Sequence, residues 1–210
     1  MKAFDEKLWH EKTLDEGSGT MNPIATLKMA NGSRIVIELL PDVAPNTVAS
    51  FIYIASRGLM DGHAIERIVP GSWIDVSYTG YGKEEARYLI PYESQLHPEI
   101  EPLDSHPGCV CMGGYGEAGL SGGEFFFPLR DLPEHKGIYP VFGRVTGGWE
   151  EILRLEKVET LPVTDFPYPG VEVNKPVEPQ VILSVELDLG GQTFPDPVRM
   201  QHQDLPRTWQ

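Results

Sequence analysis

Residues 24–39 read IATLKMANGSRIVIEL, and two features of this stretch predict a β-hairpin. Apolar and polar residues alternate on both sides of Asn31-Gly32, which is the pattern of a strand with one buried face. Asn-Gly is a preferred dipeptide of tight hairpin turns, because both central residues of such a turn need a positive φ. The sequence therefore predicts two antiparallel strands that are joined by a sharp turn at Asn31 and Gly32.

The apolar spacing then changes to three or four residues, which indicates a helix. Pro45 suits the first position of that helix, because the N–H that proline lacks would have no partner there. Gly58 is placed to end it, since glycine readily adopts the left-handed conformation that closes many helices. The apolar face consists of Val48, Phe51, Ile52 and Ala55. We expect this face to pack on the sheet.

The remaining apolar runs are short and are interrupted by many of the 22 glycines and 19 prolines of the chain. Such a composition favours many short strands and disfavours a helical bundle. Further strands are predicted at 65–69, within 108–129, at 141–145 and at 180–187, and a second short helix near 149–156. A closed antiparallel barrel of seven or eight strands, with the two helices capping its ends, accommodates these elements because closure removes exposed strand edges.

The predicted strands and helices fall within one domain, residues 21–190. Residues 1–20 are polar and mixed in charge, so we interpret them as an N-terminal extension. Residues 191–210 contain three prolines and few apolar residues, and we expect an extended C-terminal tail on the surface.

The balance of charge excludes some partners. The chain of 210 residues has 17 Lys and Arg against 31 Asp and Glu, a net charge of −14. An acidic surface repels nucleic acid and anionic membranes, so we expect neither as a partner. We see no signal peptide and no apolar stretch long enough to cross a bilayer. Cys109 and Cys111, two apart on one strand, are badly placed to bridge each other. These features predict a cytoplasmic protein with reduced thiols.

Several stretches repeat the motifs of one enzyme family in the order in which that family has them. They are GSRIVIELLPDVAPNTVASFIYIASRGLMDGHAIERIVPGSWI (32–74), CVCMGG (109–114), SGGEFFF (121–127), YPVFGRVTGGWEEILRLEKV (139–158) and KPVEPQVILSVEL (175–187). The chain thus resembles the cyclophilins, which are peptidyl-prolyl cis-trans isomerases, as a divergent member of bacterial type. The resemblance implies a closed eight-stranded antiparallel barrel with two capping α-helices. It also implies a monomeric folding helper that needs no cofactor.

The chemistry of such an enzyme explains which residues matter. An X-Pro bond isomerises slowly because twisting it breaks amide resonance, at a barrier of about 20 kcal/mol. In the twisted state the proline nitrogen regains a lone pair, to which a fixed guanidinium can donate a hydrogen bond. The resemblance gives that role to Arg67 and puts Phe126 on the floor of the proline pocket. It implies that the backbone at Gly113 and Gly114 pairs with substrate, and that Tyr139 replaces a frequent histidine.

The chain departs from the family pattern near this site. The stretch after the P-G turn, usually Phe-Met-x-Gln in the family, is Ser72-Trp73-Ile74-Asp75 here. Ser72 removes one wall of the proline pocket, which Trp73 can partly refill. Asp75 and Glu124 both stand where the family usually has glutamine. Either acid can hold Arg67 in a salt bridge and so withdraw it from substrate.

Two hypotheses follow from these residues. The first is an active peptidyl-prolyl cis-trans isomerase that binds proline-containing peptides or protein clients. The second is a cyclophilin-like binding module that has lost most of its catalysis, which the altered residues and the two extensions favour. The substitution Arg67→Ala separates them, because it abolishes catalysis under the first hypothesis and leaves peptide binding intact under the second.

A metal-binding function is a third class to weigh. Possible ligands are His63, His97, His106, His135, Cys109 and Cys111. Their spacing fits no closed zinc pattern. The glycine-rich residues 113–123 lack the Lys-Ser/Thr ending of a phosphate-binding loop. We therefore expect neither a metal nor a cofactor.

Overall fold

A β-hairpin opens the described part of the fold, as the alternation of apolar residues predicts. The computed structural model of the chain describes residues 21–201 and 205–210, so the expected N-terminal extension, residues 1–20, lies outside the described residues. Strand β1 is Ile24–Met29 and strand β2 is Arg34–Leu39. Every second residue of both strands is buried, which confirms the predicted apolar face.

The turn of this hairpin differs from the predicted one. The N–H of Met29 donates to the carbonyl of Ser33 (3.0 Å), and only Gly32 has a positive φ, at 88°. The side chain of Asn31 accepts a hydrogen bond from the N–H of Ser33 (2.9 Å) and donates one to Glu151 (3.0 Å). Asn31 therefore fixes a longer loop through its side chain and needs no left-handed backbone.

Ten of the strands form one antiparallel sheet. After β1 and β2, the strands are β3 (His63–Ala64), β4 (Arg67–Val69), β5 (Trp73–Asp75), β6 (Leu89–Ile90), β7 (Cys109–Gly114), β8 (Leu120–Pro128), β9 (Val141–Gly147), β10 (Thr160–Pro162), β11 (Asn174–Pro176) and β12 (Val181–Asp188). The main sheet follows the order β3-β12-β1-β2-β9-β7-β8-β5-β4, with β6 paired to β8. Strands β10 and β11 form a separate two-stranded sheet.

The sheet differs from the expected closed eight-stranded barrel in strand number and in closure. The paired strands run from β3 at one edge to β4 at the other, and in the described residues these two edge strands are not hydrogen-bonded to each other as a pair. Only Ile65 and Glu66 separate these two strands along the chain, so the sheet curls until its edges are neighbours. Each edge strand is two or three residues long, so either edge exposes few unpaired backbone groups.

Three α-helices lie in the described residues, one more than predicted. They are α1 (Pro45–Ser56), α2 (Glu93–Leu96) and α3 (Trp149–Leu155). The four-residue α2 shows no apolar period, which explains why the sequence did not predict it. Helix α1 has Pro45 in its first turn, as predicted, but no capping side chain of its own. Instead Glu93 accepts hydrogen bonds from the N–H (2.6 Å) and the hydroxyl (2.7 Å) of Thr47.

Helix α1 fills the concave side of the sheet with the apolar face that the sequence predicts. Phe51 is fully buried, and its ring lies 5.5 Å from that of Phe125 on β8 and 5.3 Å from that of Phe142 on β9. These contacts support strands β8 and β9 from behind. The other face of β8 carries Phe126 of the candidate site.

The last described residues of the C-terminal tail, whose expected position is on the surface, include buried side chains. In residues 191–201, Val198 exchanges backbone hydrogen bonds with the side-chain amide of Asn46 on α1 (2.7 and 3.1 Å). The chain ends in a short 3₁₀ turn, Arg207–Trp209. The side chain of Trp209 is only 3% exposed, so the last residues pack into the domain.

Candidate active site

Three of the predicted site residues lie in one row across neighbouring strands. Arg67 on β4 lies opposite Asp75 on β5, and Asp75 lies opposite Phe126 on β8. Phe126 in turn lies opposite Cys111 on β7. Residues that face each other in an antiparallel ladder project from the same side of the sheet. Phe125 projects to the other side, into the main core, as the alternation within β8 predicts.

The guanidinium of Arg67 is held at two of its three nitrogens. Its Nη1 donates to the Oδ2 of Asp75 (2.8 Å), and its Nε donates to the carbonyl of Glu172 (2.6 Å). Among the described residues, no hydrogen-bond partner faces Nη2. The ring of Trp73 lies 5.2 Å from the guanidinium carbon, within the range of a cation–π contact. Burial raises the pKa of Asp75, and the adjacent Arg67 opposes that rise.

An aromatic wall stands beside Arg67. Phe126 is buried, and its ring meets the rings of His135 and Tyr139 edge to face, at 5.7 and 5.8 Å. The rings of His135 and Tyr139 lie 4.6 Å apart, and Trp73 lies 5.9 Å from His135. Burial lowers the pKa of His135, so its ring adds apolar surface rather than charge at neutral pH. Four rings therefore enclose one side of the site.

A cavity of about 590 Å³ connects these groups. Arg67, Trp73, Asp75, Phe126, Tyr139, Gly113, Gly114 and Glu124 all line it. The register of β7 with β8 shifts between Met112 and Gly114, which turns the backbone at Gly113 toward the cavity. Ser72, by contrast, lies in the turn between β4 and β5 and does not line the cavity. The structure thus brings together all eight predicted site residues.

Glu124 lies at the other end of the cavity and does not contact Arg67. Its Oε1 accepts hydrogen bonds from the N–H of Gly80 (2.7 Å) and the indole N–H of Trp209 (2.7 Å). Its Oε2 accepts one from the hydroxyl of Tyr115 (2.6 Å). Burial raises the pKa of Glu124 to about 7, although the three donors favour the charged form. Glu124 therefore does not pair with Arg67, contrary to the expectation from the sequence.

No metal centre is found in residues 21–201 and 205–210, where no three His, Cys, Asp or Glu side chains come close enough to hold an ion. Cys109 and Cys111 are buried and unbridged, and burial raises the pKa of Cys109 to about 12. Such thiols are poor nucleophiles. None of the helices described reaches the length and hydrophobicity that a membrane span requires.

Comparison with known proteins identifies this arrangement. The family model of the cyclophilin type peptidyl-prolyl cis-trans isomerases matches residues 24–187, which include every strand of the main sheet except the last residue of β12. The chain belongs to the cyclophilin family. The family is named for peptidyl-prolyl cis-trans isomerases.

Relatives of this cyclophilin are found in bacteria and animals. Peptidyl-prolyl cis-trans isomerase B of Bacillus subtilis is 32% identical over 122 residues, which cover 58% of this chain and 82% of the relative. Peptidylprolyl isomerase domain and WD repeat-containing protein 1 of Mus musculus is 30% identical over 178 residues and 81% of this chain. The chain spans only 27% of the length of that mouse relative.

Solved structures show the same fold. A cyclophilin type isomerase of Cryptosporidium parvum has a TM-score of 0.60 and 21% identity, and the alignment covers 80% of this chain and 97% of the other. A second structure of that protein was determined in the presence of the dipeptide Ala-Pro, with a TM-score of 0.59.

Sequence reasoning missed several residues that line the cavity of this cyclophilin. Phe166, Tyr168 and Val171 reach it from the proline-rich loop before β11, and Tyr115 reaches it from the glycine-rich loop after β7. The last residues of the chain also line it, from Leu205 to Thr208. The only signal in the sequence was the run of aromatic residues and prolines at 166–169, which has no strand or helix period.

Proposed function

We propose that this cyclophilin catalyses the cis–trans isomerisation of X-Pro bonds in peptides or protein clients. The observation that carries the proposal is the Nη2 of Arg67, which meets no hydrogen-bond partner among the described residues and lies beside an aromatic wall. Nη1 and Nε are both engaged, which fixes the plane of the guanidinium. Nη2 therefore remains to donate a hydrogen bond to the nitrogen of a bound proline, and the side chain needs little reorganisation to do so.

The apolar half of the site suits a proline ring. Phe126 forms the floor, with Tyr139 and His135 on one side and Trp73 toward Arg67. Rings held edge to face by one another lose little freedom when a ligand binds. In this arrangement Trp73 supplies a wall that the family usually builds with another side chain.

Catalysis follows from the difference between the planar and twisted states of the amide. In the planar state the proline nitrogen shares its electrons with the carbonyl and accepts no hydrogen bond. In the twisted state the nitrogen is an acceptor, so the bond from Nη2 stabilises the transition state alone. Removing one such donor commonly costs about 10²- to 10³-fold in rate. The backbone at Gly113 and Gly114 holds the flanking peptide in line.

A second candidate function is a peptide-binding module with little catalysis. The ion pair between Arg67 and Asp75 favours it, because a carboxylate at 2.8 Å offsets the positive charge that the twisted state would use. Under this alternative the aromatic wall still binds proline, but the rate of isomerisation barely changes.

Exchange NMR on a short Ala-Pro peptide tests the proposal. We expect the wild type to accelerate exchange, and Arg67→Ala to lose about 10²-fold or more of that rate. Arg57→Ala is the matched control, because Arg57 pairs with Glu85 outside the cavity. If the wild type binds proline peptides without accelerating exchange across a panel of sequences, the binding-module alternative replaces the proposal.

A further inference from the structure

Four of the last six residues of the chain, LPRTWQ (205–210), line the cavity. The cavity that holds Arg67 at one end is lined at the other by Leu205, Pro206, Arg207 and Thr208. Trp209 continues inward until its side chain is only 3% exposed. A mostly polar tail thus ends with a buried tryptophan side chain.

The contacts of Trp209 are those of a specific side-chain pocket. Its indole N–H donates to the Oε1 of Glu124 (2.7 Å), an oxygen that also accepts the N–H of Gly80. Its ring meets the ring of Tyr115 edge to face, with centroids 5.5 Å apart. We call the pocket formed by Gly80, Tyr115 and Glu124 the indole pocket. A buried carboxylate aimed at a ring N–H selects tryptophan over purely apolar side chains.

Neighbouring residues of the segment are held by hydrogen bonds with two tyrosine hydroxyls. The N–H of Arg207 donates to the hydroxyl of Tyr168 (2.9 Å), and Thr208 lies at hydrogen-bond distance from the hydroxyl of Tyr115 (3.3 Å). Pro206 is buried beside them. Tyr168 and Tyr115 come from two separate loops that line the cavity. The segment therefore has several weak contacts around one buried side chain, that of Trp209.

The tail before the segment is tied down independently. The N–H of Met200 donates to the carbonyl of Leu89 (2.9 Å), so the chain is fixed close to β6 at this position. A tethered segment of this kind binds at an effective concentration of about millimolar. Even modest contacts then keep the indole pocket filled, and a peptide from solution has to displace them.

We propose that the indole pocket is a binding site for a tryptophan-bearing peptide segment, and that residues 205–210 fill it in cis. The bound segment excludes long peptides that reach from Arg67 to Glu124. The binding site stands independently of catalysis, whereas the exclusion of substrates rests on the proposed isomerase function.

Binding in trans tests the site without any catalytic readout. The full-length variant Trp209→Ala empties the pocket, and fluorescence anisotropy then measures its affinity for labelled LPRTWQ. We expect this variant to bind the peptide at least about tenfold more tightly than the wild type does. LPRTAQ is the control peptide and should bind at least about tenfold more weakly than LPRTWQ. Equal binding of LPRTWQ by both proteins, or equal binding of both peptides, overturns the proposal.

Further variants control for misfolding and for changes elsewhere in the tail. If Trp209→Ala does not fold, Trp209→Phe keeps an aromatic ring but loses the N–H that Glu124 accepts, and a smaller gain in peptide affinity is expected. Val198→Ala is the control within the tail, since its side chain is exposed and outside the groove, and it should bind the peptide as the wild type does. A wild-type dimer that dissociates in Trp209→Ala would show that the segment docks between chains, which overturns the assignment in cis.

A kinetic measurement then tests the exclusion of substrate. Trp209→Ala should raise kcat/KM for a peptide of about ten residues by several fold more than for a tetrapeptide. An unchanged ratio in a protein that does bind LPRTWQ in trans would overturn the exclusion and leave the binding site in place. Absence of catalysis for both peptides would refute the proposed isomerase function instead.

Discussion

Replacing Glu124 by glutamine should change how the stability of the protein depends on pH. Glu124 is 4% exposed, and burial raises its pKa from 4.5 to about 7. The folded state therefore holds the proton more tightly than the unfolded state does. The free energy of unfolding falls as pH rises from 4.5 to 7, because the buried carboxyl must then ionise. Below that range the protonated form carries no such cost.

The magnitude follows from the change in proton affinity. Each tenfold change is about 1.4 kcal/mol, so a pKa that rises from 4.5 to about 7 corresponds to roughly 3 kcal/mol. Glutamine remains neutral throughout. Its oxygen can still accept the N–H groups of Gly80 and Trp209, and its NH₂ can donate to the hydroxyl of Tyr115. Little hydrogen bonding is lost, so the charge dominates the difference between the two proteins.

Urea unfolding followed by far-UV circular dichroism, at intervals from about pH 5 to about pH 8, measures this difference. We expect Glu124→Gln to gain stability relative to the wild type by roughly 3 kcal/mol across that range, most of it below pH 7. Glu117→Gln removes an exposed carboxylate near the same loop and should show no such gain. Parallel curves for the wild type and Glu124→Gln would refute the argument that burial controls this carboxyl.

Two further substitutions test the site and the fold. Asp75→Asn removes the charge that offsets Arg67 but keeps an acceptor for Nη1. Exchange NMR should therefore show kcat/KM raised by about threefold to tenfold. A fall as large as that of Arg67→Ala would mean that the carboxylate positions the guanidinium. Gly148→Ala should cost at least about 2 kcal/mol in urea unfolding, because its φ is +80° and a Cβ would lie 1.8 Å from a carbonyl oxygen of β2. Gly32→Ala, at a φ of +88° in open space, should cost only about 1 kcal/mol, and equal losses would contradict this reasoning.

The sequence predicted those parts of the fold that depend on short-range patterns. Alternation over residues 24–39 and helical spacing after Pro45 correspond to β1, β2 and α1. The alternation of β8 also placed Glu124 and Phe126 on one face. The positions of Arg67 and Asp75 within the site came from the resemblance to the family, and the register of β4 with β5 pairs them.

Other parts could not be predicted because their partners lie far apart in the chain. The sheet remains open at β3 and β4, which are short strands. No local pattern in the sequence shows whether two such strands pair with each other. The short helix α2 has too few residues for a period. The neighbours of Glu124 come from positions 80, 115 and 209, and nothing in the polar tail marks Trp209 as buried. An acid in a cavity looks the same in sequence whether it faces Arg67 or a tryptophan.

The capping of α1 by Glu93 has a consequence for the order in which the chain assembles. The acceptor for the first turn of α1 comes from a residue 46 positions further along the chain. Before that loop closes, the N-terminal turn of α1 lacks its acceptor, and a helix of this length is marginal on its own. The first turn of α1 is therefore complete only once α2, from a distant part of the chain, has packed beside it.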